Sequence, residues 1–485
     1  MIILALEAST TSAKSMLFDT ATQEVEVATR RFDIPGEDSS VREAESIFTQ
    51  LMSLGREAAA GRQVEMLTLS GTWHGMTLRS SQQGESSLGE ISPVQEWPYT
   101  GAQDLCSALR EDADFTAWFY GRTGCMVNAI YPAFKLMLLK ERGVSISGGL
   151  VLDQNSYNFA RLTGQRWTSI SQASGTGLLN AETCDWDSEV LARLQLEDVV
   201  LPELKSEDTT APLTAEAAAL LGLTPGIPVL VPGPDGGMNQ VGNAATAEGD
   251  MTFSMGTSGA LRFAVSAPSF SPRMSTWSYR SPVGWLSGAA ASGCTNCVDW
   301  AKDRLFEPGT TYADLEPQLT AGPVDLPLFM PFLFGERCPG WQDQRRGGFL
   351  ELHPAHTRAQ MYQSVLHGVT FSLYHCYREL TALNGTPRRI ILSGGVLSSP
   401  FWTQLTADVF GAEMEISALQ HSSVVGAVRM GLRAAGIADD QPAFREENRR
   451  IVSPRPELAD YYAAEFDRYL EGYTRTNPES STLME

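Results

Sequence analysis

The chain has 485 residues, which at roughly 100 to 200 residues per domain allows two to four domains with large cores. Hydrophobic residues at 43% and charged residues at 19% match a soluble globular protein and exclude a disordered or collagen-like chain. With 36 basic against 57 acidic residues and a net charge of -21, there is no basic field to gather nucleic acid or an anionic membrane. An anionic substrate therefore has to be held in a pocket by backbone N–H groups, a metal and a few placed side chains, against the global field.

No window approaches the ~18 consecutive apolar residues of a membrane span. The opening MIILAL meets Glu7 too early to form a signal-peptide core, so the expectation is a cytoplasmic protein. Seven cysteines, an odd number with no secretion signal, argue against a disulfide framework. Cys294 and Cys297 alone are spaced CxxC, and without a second CxxC or a nearby CxxH they read as buried thiols at the start of a helix rather than zinc ligands.

In chain order, IILAL, the small and hydroxyl-rich EASTTSAK, and SMLFD predict strand, tight loop, strand. VEMLTLSGTWHG follows as an apolar strand entering a Gly-containing loop, and Tyr131 to Glu141 as a helix. The strand IPVLV then leads into the loop PGPDGGMNQVGN, after which residues 251 to 265 repeat the opening layout as MTFSM, GTSGA and LRFAV. Helices are expected at Cys297 to Leu305, Thr357 to Leu383 and Ser399 to Phe410, with RRIILSGGVLSS as the second counterpart of VEMLTLSGTWHG. Pro456 to Tyr473 reads as an amphipathic helix, and NPESSTLME as a frayed tail. Strands alternating with helices, in one order said twice, suggest a duplicated α/β domain whose like-placed turns face each other across a cleft. The boundary is expected near residue 245, giving domains 1–245 and 246–485.

In the first loop, small residues let backbone N–H groups approach a phosphate, and Thr10, Thr11 and Ser12 add hydroxyl donors. Lys14 ends it, one of five lysines beside 31 arginines. A plain polar hairpin turn fits the same residues. The second loop, Gly256, Thr257, Ser258 and Gly259, is equally open alone, but two such loops in matching positions point to a nucleotide cleft. Asp235 stands between a proline and two glycines after a very apolar strand, where open α/β sheets carry working residues. A carboxylate there suits the removal of a proton from a hydroxyl attacking a phosphoryl group, although PDG is also a common turn sequence.

Together these residues resemble the FGGY carbohydrate kinases, members of the actin, Hsp70 and hexokinase superfamily. The resemblance runs almost end to end through SGTWHGM, YPAFKL, ASGTGLLN, PDGGMNQVGN, SMGTSGALR, FGERCPGW and LSGGVLSSPFWTQLTADVFG. It implies two actin-like, ribonuclease H-like domains, with sugar bound mainly by the first and ATP mainly by the second. It also implies ATP-dependent phosphorylation of a small sugar or sugar acid, with Mg²⁺ as cofactor. Carried across, Asp235 matches the catalytic base. Thr10, Thr11, Lys14, Gly256 and Thr257 match phosphate-loop positions, and Gly394, Gly395 and Ser399 the turn along the adenosine. Glu7 and Asp235 match the metal-linked carboxylates, and Trp73 and His74 the sugar-binding stretch. His74 could equally shape the loop after its strand.

The chain departs from the family where Glu7 and Ser9 replace an aspartate and a glycine, and where WPYTG offers Tyr99 and Gly101 after Trp97 in place of an Asp and an Arg. His367 and Gly368 stand for a late E-G pair of structural character. WHG is similar to the xylulokinase branch, and TWHGM with ASGTGLLN to a gluconokinase-related one. A nucleotide-dependent sugar sensor and an Hsp70-like ATPase are the rival readings. A homodimer is a candidate assembly.

Overall fold

The computed structural model describes all residues except 37, 81–87, 447–448 and 477–485. The tail NPESSTLME, Asn477 to Glu485, thus lies outside the described residues.

The first half is a mixed sheet whose central order is Val25–Arg31, Ser12–Asp19, Ile2–Ala8, Met66–Gly71, Pro228–Leu230. Each of the first three strands is antiparallel to its neighbour, and Met66–Gly71 and Pro228–Leu230 continue parallel to Ile2–Ala8. The second half repeats this with Trp285–Ala291, Gly259–Val265, Asp250–Met255, Arg389–Gly394 and Met414–Ile416, again three antiparallel strands followed by two parallel ones. The internal repeat is therefore a repeat of topology, two ribonuclease H-like domains of the actin type. The central strands are buried on both faces, which explains why they read as short apolar runs rather than as clean alternation.

The duplication extends to single positions. Ala8 pairs with Ala13 and Gly71, and Met255 with Gly259 and Gly394. A Cβ on Gly71 would lie 2.6 Å from the Ala8 carbonyl oxygen, and one on Gly394 2.5 Å from that of Met255. Gly394 also has φ +98, so both halves need glycine where the parallel strand turns away at its carboxyl end.

Helices match the sequence expectations to within a few residues: Pro132–Glu141, Thr295–Leu305, Arg358–Asn384, Pro400–Phe410 and Ala459–Arg475. Thr357 and Gln360 form a reciprocal capping box, and Ser399 caps the Trp402 N–H. Cys294 and Cys297 are buried free thiols at the start of Thr295–Leu305. His367 and Gly368 lie inside Arg358–Asn384, where a Cβ on Gly368 would approach the Phe329 carbonyl oxygen to 2.2 Å, so the pair serves packing.

One expectation is corrected. PGPDGGMNQVGN is not a loop: Gly233–Pro234 adds to the first sheet beside Ser70 and Gly71, and a helix runs from Asp235 to Gly242. Extended backbone at Pro234 launches the helix and a carboxylate in its first turn suits its dipole, while burial among neighbours overrides the poor propensity of three glycines.

That helix and Ser422–Ala434 follow the fifth strands of the two halves and pack on each other. Cβ atoms on Gly242 and Gly426 would lie 1.8 and 2.0 Å from carbonyl oxygens of the opposing helix, Ser422 and Met238. A core cluster joining Ile3, Ala5, Met238, Val241, Val424 and Val428 ties them to the first sheet. Among the described residues, no helix is long and apolar enough to cross a membrane.

Candidate active site

The first hairpin turn is built by Ser9. Its N–H and hydroxyl both donate to the Ser12 carbonyl, at 3.0 and 2.8 Å, and its hydroxyl oxygen accepts the Ser12 N–H at 3.2 Å. Ser9 is not among the residues of positive φ, so its Cβ meets no conformational penalty, and its side chain closes the two-residue loop Thr10–Thr11. The carbonyls of Ser9 and Thr10 accept from Arg42 Nη1 at 3.1 and 2.9 Å. The Trp97 indole donates to Thr10 Oγ1 at 3.0 Å, and Thr11 is exposed at the tip.

Two strands away, the register row Lys14, Glu7, Ser70, Gly233 crosses the sheet, and the next row ends at Pro234. Asp235 is thus one residue beyond the sheet's carboxyl edge, diagonal to Glu7. Glu7 is buried, accepting from Lys14 Nζ at 2.5 Å and from the Ser70 hydroxyl at 3.2 Å. Burial pushes the Asp235 carboxyl up to about 6; the Glu7 charge adds to the rise, and Arg262, the Gly236 N–H and Lys14 oppose it. A carboxylate raised in this way, at a helix N-terminus, is suited to proton abstraction near neutrality.

Trp73 and His74 leave the strand Met66–Gly71 at the same edge. The Trp73 indole donates to the Ser171 carbonyl at 2.9 Å, and both rings pack over Gly175. His74 has φ +66 and sets Nδ1 2.7 Å from the Gly175 carbonyl oxygen. A carbonyl only accepts, so Nδ1 carries the proton and Nε2 presents a lone pair. Burial pushes the His74 pKa down to about 3, which keeps the ring neutral. Lys135, fully buried and pushed down to about 7 by burial, donates to the carbonyls of His74, Gln95 and Glu96.

The sugar-side candidates do not stand on the first half alone. Tyr279 of the second half lies 5.2 Å from the Trp73 ring and 5.5 Å from His74, and its hydroxyl meets that of Tyr131 at 2.6 Å. Two arginines of the second half, Arg262 and Arg337, also reach this seam; sequence reasoning passed over both, although each lies inside a quoted motif, SMGTSGALR and FGERCPGW. Arg262 Nε and Trp73 Cζ3 are 2.9 and 2.8 Å from the point a Cβ on Gly236 would occupy. Arg337 places its guanidinium carbon 5.9 Å from the Trp97 ring centroid.

Among the nucleotide candidates, Gly256, Gly394 and Gly395 come together around Thr295, whose N–H donates to the Gly256 carbonyl and whose methyl lies 3.1 Å from a Cβ position on Gly395. Thr257 is exposed at the tip of the second turn. Ser399 differs: its hydroxyl caps a helix and donates to Glu316 at 2.7 Å, so it holds backbone rather than facing a ligand. Tyr99 also turns aside, accepting from Arg142 at 3.0 Å on the exposed side.

The family models settle the affiliation: the N-terminal domain of the FGGY family of carbohydrate kinases matches residues 2–242, and the C-terminal domain residues 251–435. The chain belongs to the FGGY family. Relatives include the gluconokinase of Bacillus subtilis, 24% identical over 92% of this chain and 90% of that protein. The xylulose kinase of Klebsiella pneumoniae is 27% identical over 84% and 86%. Solved structures with this fold include a gluconate kinase and a ligand-bound xylulose kinase, both from Lactobacillus acidophilus. The first has a TM-score of 0.88 at 24% identity over 97% of each chain, the second 0.89 at 23% over 100% of each. This FGGY protein is a carbohydrate kinase, a phosphotransferase with an alcohol acceptor and ATP as donor.

Proposed function

We propose that this kinase transfers the γ-phosphate of ATP to a hydroxyl of a small sugar or sugar acid, with Asp235 as the base that takes the hydroxyl proton. What supports this reading above all is the Asp235 carboxyl: it begins a helix at the sheet edge, is raised to about 6 by burial, and is flanked by Glu7, Lys14 and Arg262. The acceptor is held by the seam between residues 1–245 and 246–485, with Trp73 packing on its C–H face and His74 Nε2 accepting one hydroxyl. Its first domain binds most of the sugar and its second most of the nucleotide. Thr10, Thr11, Lys14, Gly256 and Thr257 serve the phosphates, and Gly394 and Gly395 let the adenosine approach the backbone.

Glu7 and Asp235 fit Mg²⁺ by donor chemistry: the ion takes hard oxygen ligands, commonly one or two protein carboxylates together with water and substrate phosphates, and two carboxylates neighbour each other here, with the half-buried Lys14 on Glu7 and Arg262 beside Asp235. When bound it supplies charge neutralisation to the phosphates. The protein's own part is positioning, proton removal and exclusion of water by closure of the halves. A coupled assay of ADP release over pentuloses, hexoses, polyols and aldonates tests the proposal; a protein that binds such ligands without ADP release on any of them would overturn it.

A further inference from the structure

We propose that the edge strand Val25–Arg31 is a dimer interface whose occupant is the same strand of a second copy, running antiparallel about a two-fold axis at Ala28. The inference goes beyond the kinase reading and does not depend on it.

Val25–Arg31 ends the first sheet, paired on one side only, and all 7 of its residues are exposed. The Phe32 N–H donates to the Thr11 carbonyl, and the Glu24 carbonyl accepts from the Asp19 N–H, so even-numbered residues turn their backbone groups toward Ser12–Asp19. The N–H and C=O groups of Val25, Val27, Thr29 and Arg31 therefore point outward, and none has a partner among the described residues. Such a row is a template for another strand. Hydrogen-bonded pairs must then join odd-numbered residues. The pairing that uses the whole strand matches Val25 with Arg31 and Val27 with Thr29 of the second copy, in both directions, and leaves Ala28 opposite its own copy on the axis.

In this register Glu26 of each copy stands opposite Arg30 of the other. Charges usually guard an edge by repelling a second strand, but here the same charges attract a second copy. A slip by one pairing step loses the match, setting Glu26 against Ala28 or Phe32. Within the chain Glu26 is paired with Arg62, and Arg30 with Glu57 at 2.6 Å, on the side where the helix Ala44–Ala59 packs. The dimer thus builds two rows of alternating sign, Arg62 and Glu26 of one copy followed by Arg30 and Glu57 of the other. On the opposite face Val25 and Val27, 38% and 41% exposed, meet the Arg31 stem and Thr29 of the second copy. They also rim a cavity completed by Leu419, Val425 and Phe444, so apolar surface continues past the strand. A strand pair of this length is a small interface, which sets the association in the micromolar range.

Sedimentation velocity on the full chain, from nanomolar to high micromolar concentration, reads the monomer–dimer equilibrium. Glu26→Arg and Arg30→Glu each set like charges opposite one another across the axis, and each should weaken dimerisation about 10-fold or more. Mixing the two variants restores opposite signs at both pairs, so a heterodimer should form about as well as the wild-type dimer. Val27→Pro removes an outward N–H without touching the ladder to Ser12–Asp19, and should leave a monomer with the wild-type melting curve. Ala28→Cys puts two thiols at a closely spaced pair on the axis, so oxidised glutathione should link the copies; of the native cysteines only Cys184 is not fully buried. A wild type that stays monomeric over the whole range overturns the proposal. So does a dimer that Val27→Pro and both charge variants leave untouched, because it must use another face. ADP release by wild type reports on the kinase reading separately, and neither result decides the other.

Discussion

Lys14 sets its ammonium 2.5 Å from Oε1 of Glu7, its directly opposite partner in the antiparallel ladder of the first hairpin. The second carboxylate oxygen accepts from Ser70 on the other flanking strand. Glu7 is thus held from both sides, and its extra methylene is absorbed by partners fitted to a glutamate. We expect Glu7→Gln to lose about 10- to 100-fold in activity or magnesium affinity, as changes to metal-supporting carboxylates do, and Glu7→Asp far less. Steady-state kinetics over a magnesium titration measures both; equal activity of Glu7→Gln and wild type would show that the carboxylate is idle.

Asp235→Asn should lower kcat by about 100- to 10,000-fold, the usual loss for a general base, and leave sugar and ATP binding largely intact. The base works ionised, so kcat/KM of the wild type should fall as pH drops through about 6. Stability follows the same shift. A carboxyl whose folded pKa is raised from 3.8 to about 6 retains protons that the unfolded chain has released, so its stabilising contribution is lost as pH rises across that window. Asp235→Asn should therefore melt higher than wild type at pH 7 to 8, with the gap closing toward pH 4. A variant that keeps most of its kcat would remove Asp235 from the role of base.

His74→Ala should raise the KM for sugar by about 3- to 10-fold, the scale of one neutral hydrogen bond, with little change for ATP. Because burial pushes the imidazole down to about 3, the ring does not titrate in the working range, so the acid limb of the profile should stay where it is in His74→Gln. An ATP defect with sugar kinetics untouched would contradict the assignment.

Arg42 and Glu96 form a buried ion pair that joins the two working loops of the first half: Arg42 also holds the Ser9 and Thr10 carbonyls, and Glu96 accepts the Thr72 hydroxyl at 2.7 Å. Removing one partner strands the other charge, and Arg42→Met should destabilise the fold by about 3–5 kcal/mol. Denaturant unfolding of Arg42→Met, Glu96→Gln and the double variant measures this. The double variant should lose less than the sum of the singles, and strict additivity would show that the pair does not couple the loops.

The duplicated architecture and the two hairpin loops were legible in the sequence because they are local. Strand, turn and strand lie within about 20 residues, and their apolar runs and small residues follow from burial on both faces and from tight backbone approach. Asp235 was legible for the same reason, as a carboxylate following an apolar strand, although its helix was hidden by three glycines that only packing explains. Tertiary structure alone decided which side chains meet at the seam and in the loops that flank it. Arg42 reaches Thr10 across 32 residues, Tyr279 meets Tyr131 across 148, and Arg262 and Arg337 arrive from the other half of the chain. No spacing rule encodes such meetings. They follow from how two sheets twist and dock at the crossing of Asp235–Gly242 with Ser422–Ala434, which sets which side chains share one small, poorly solvated volume.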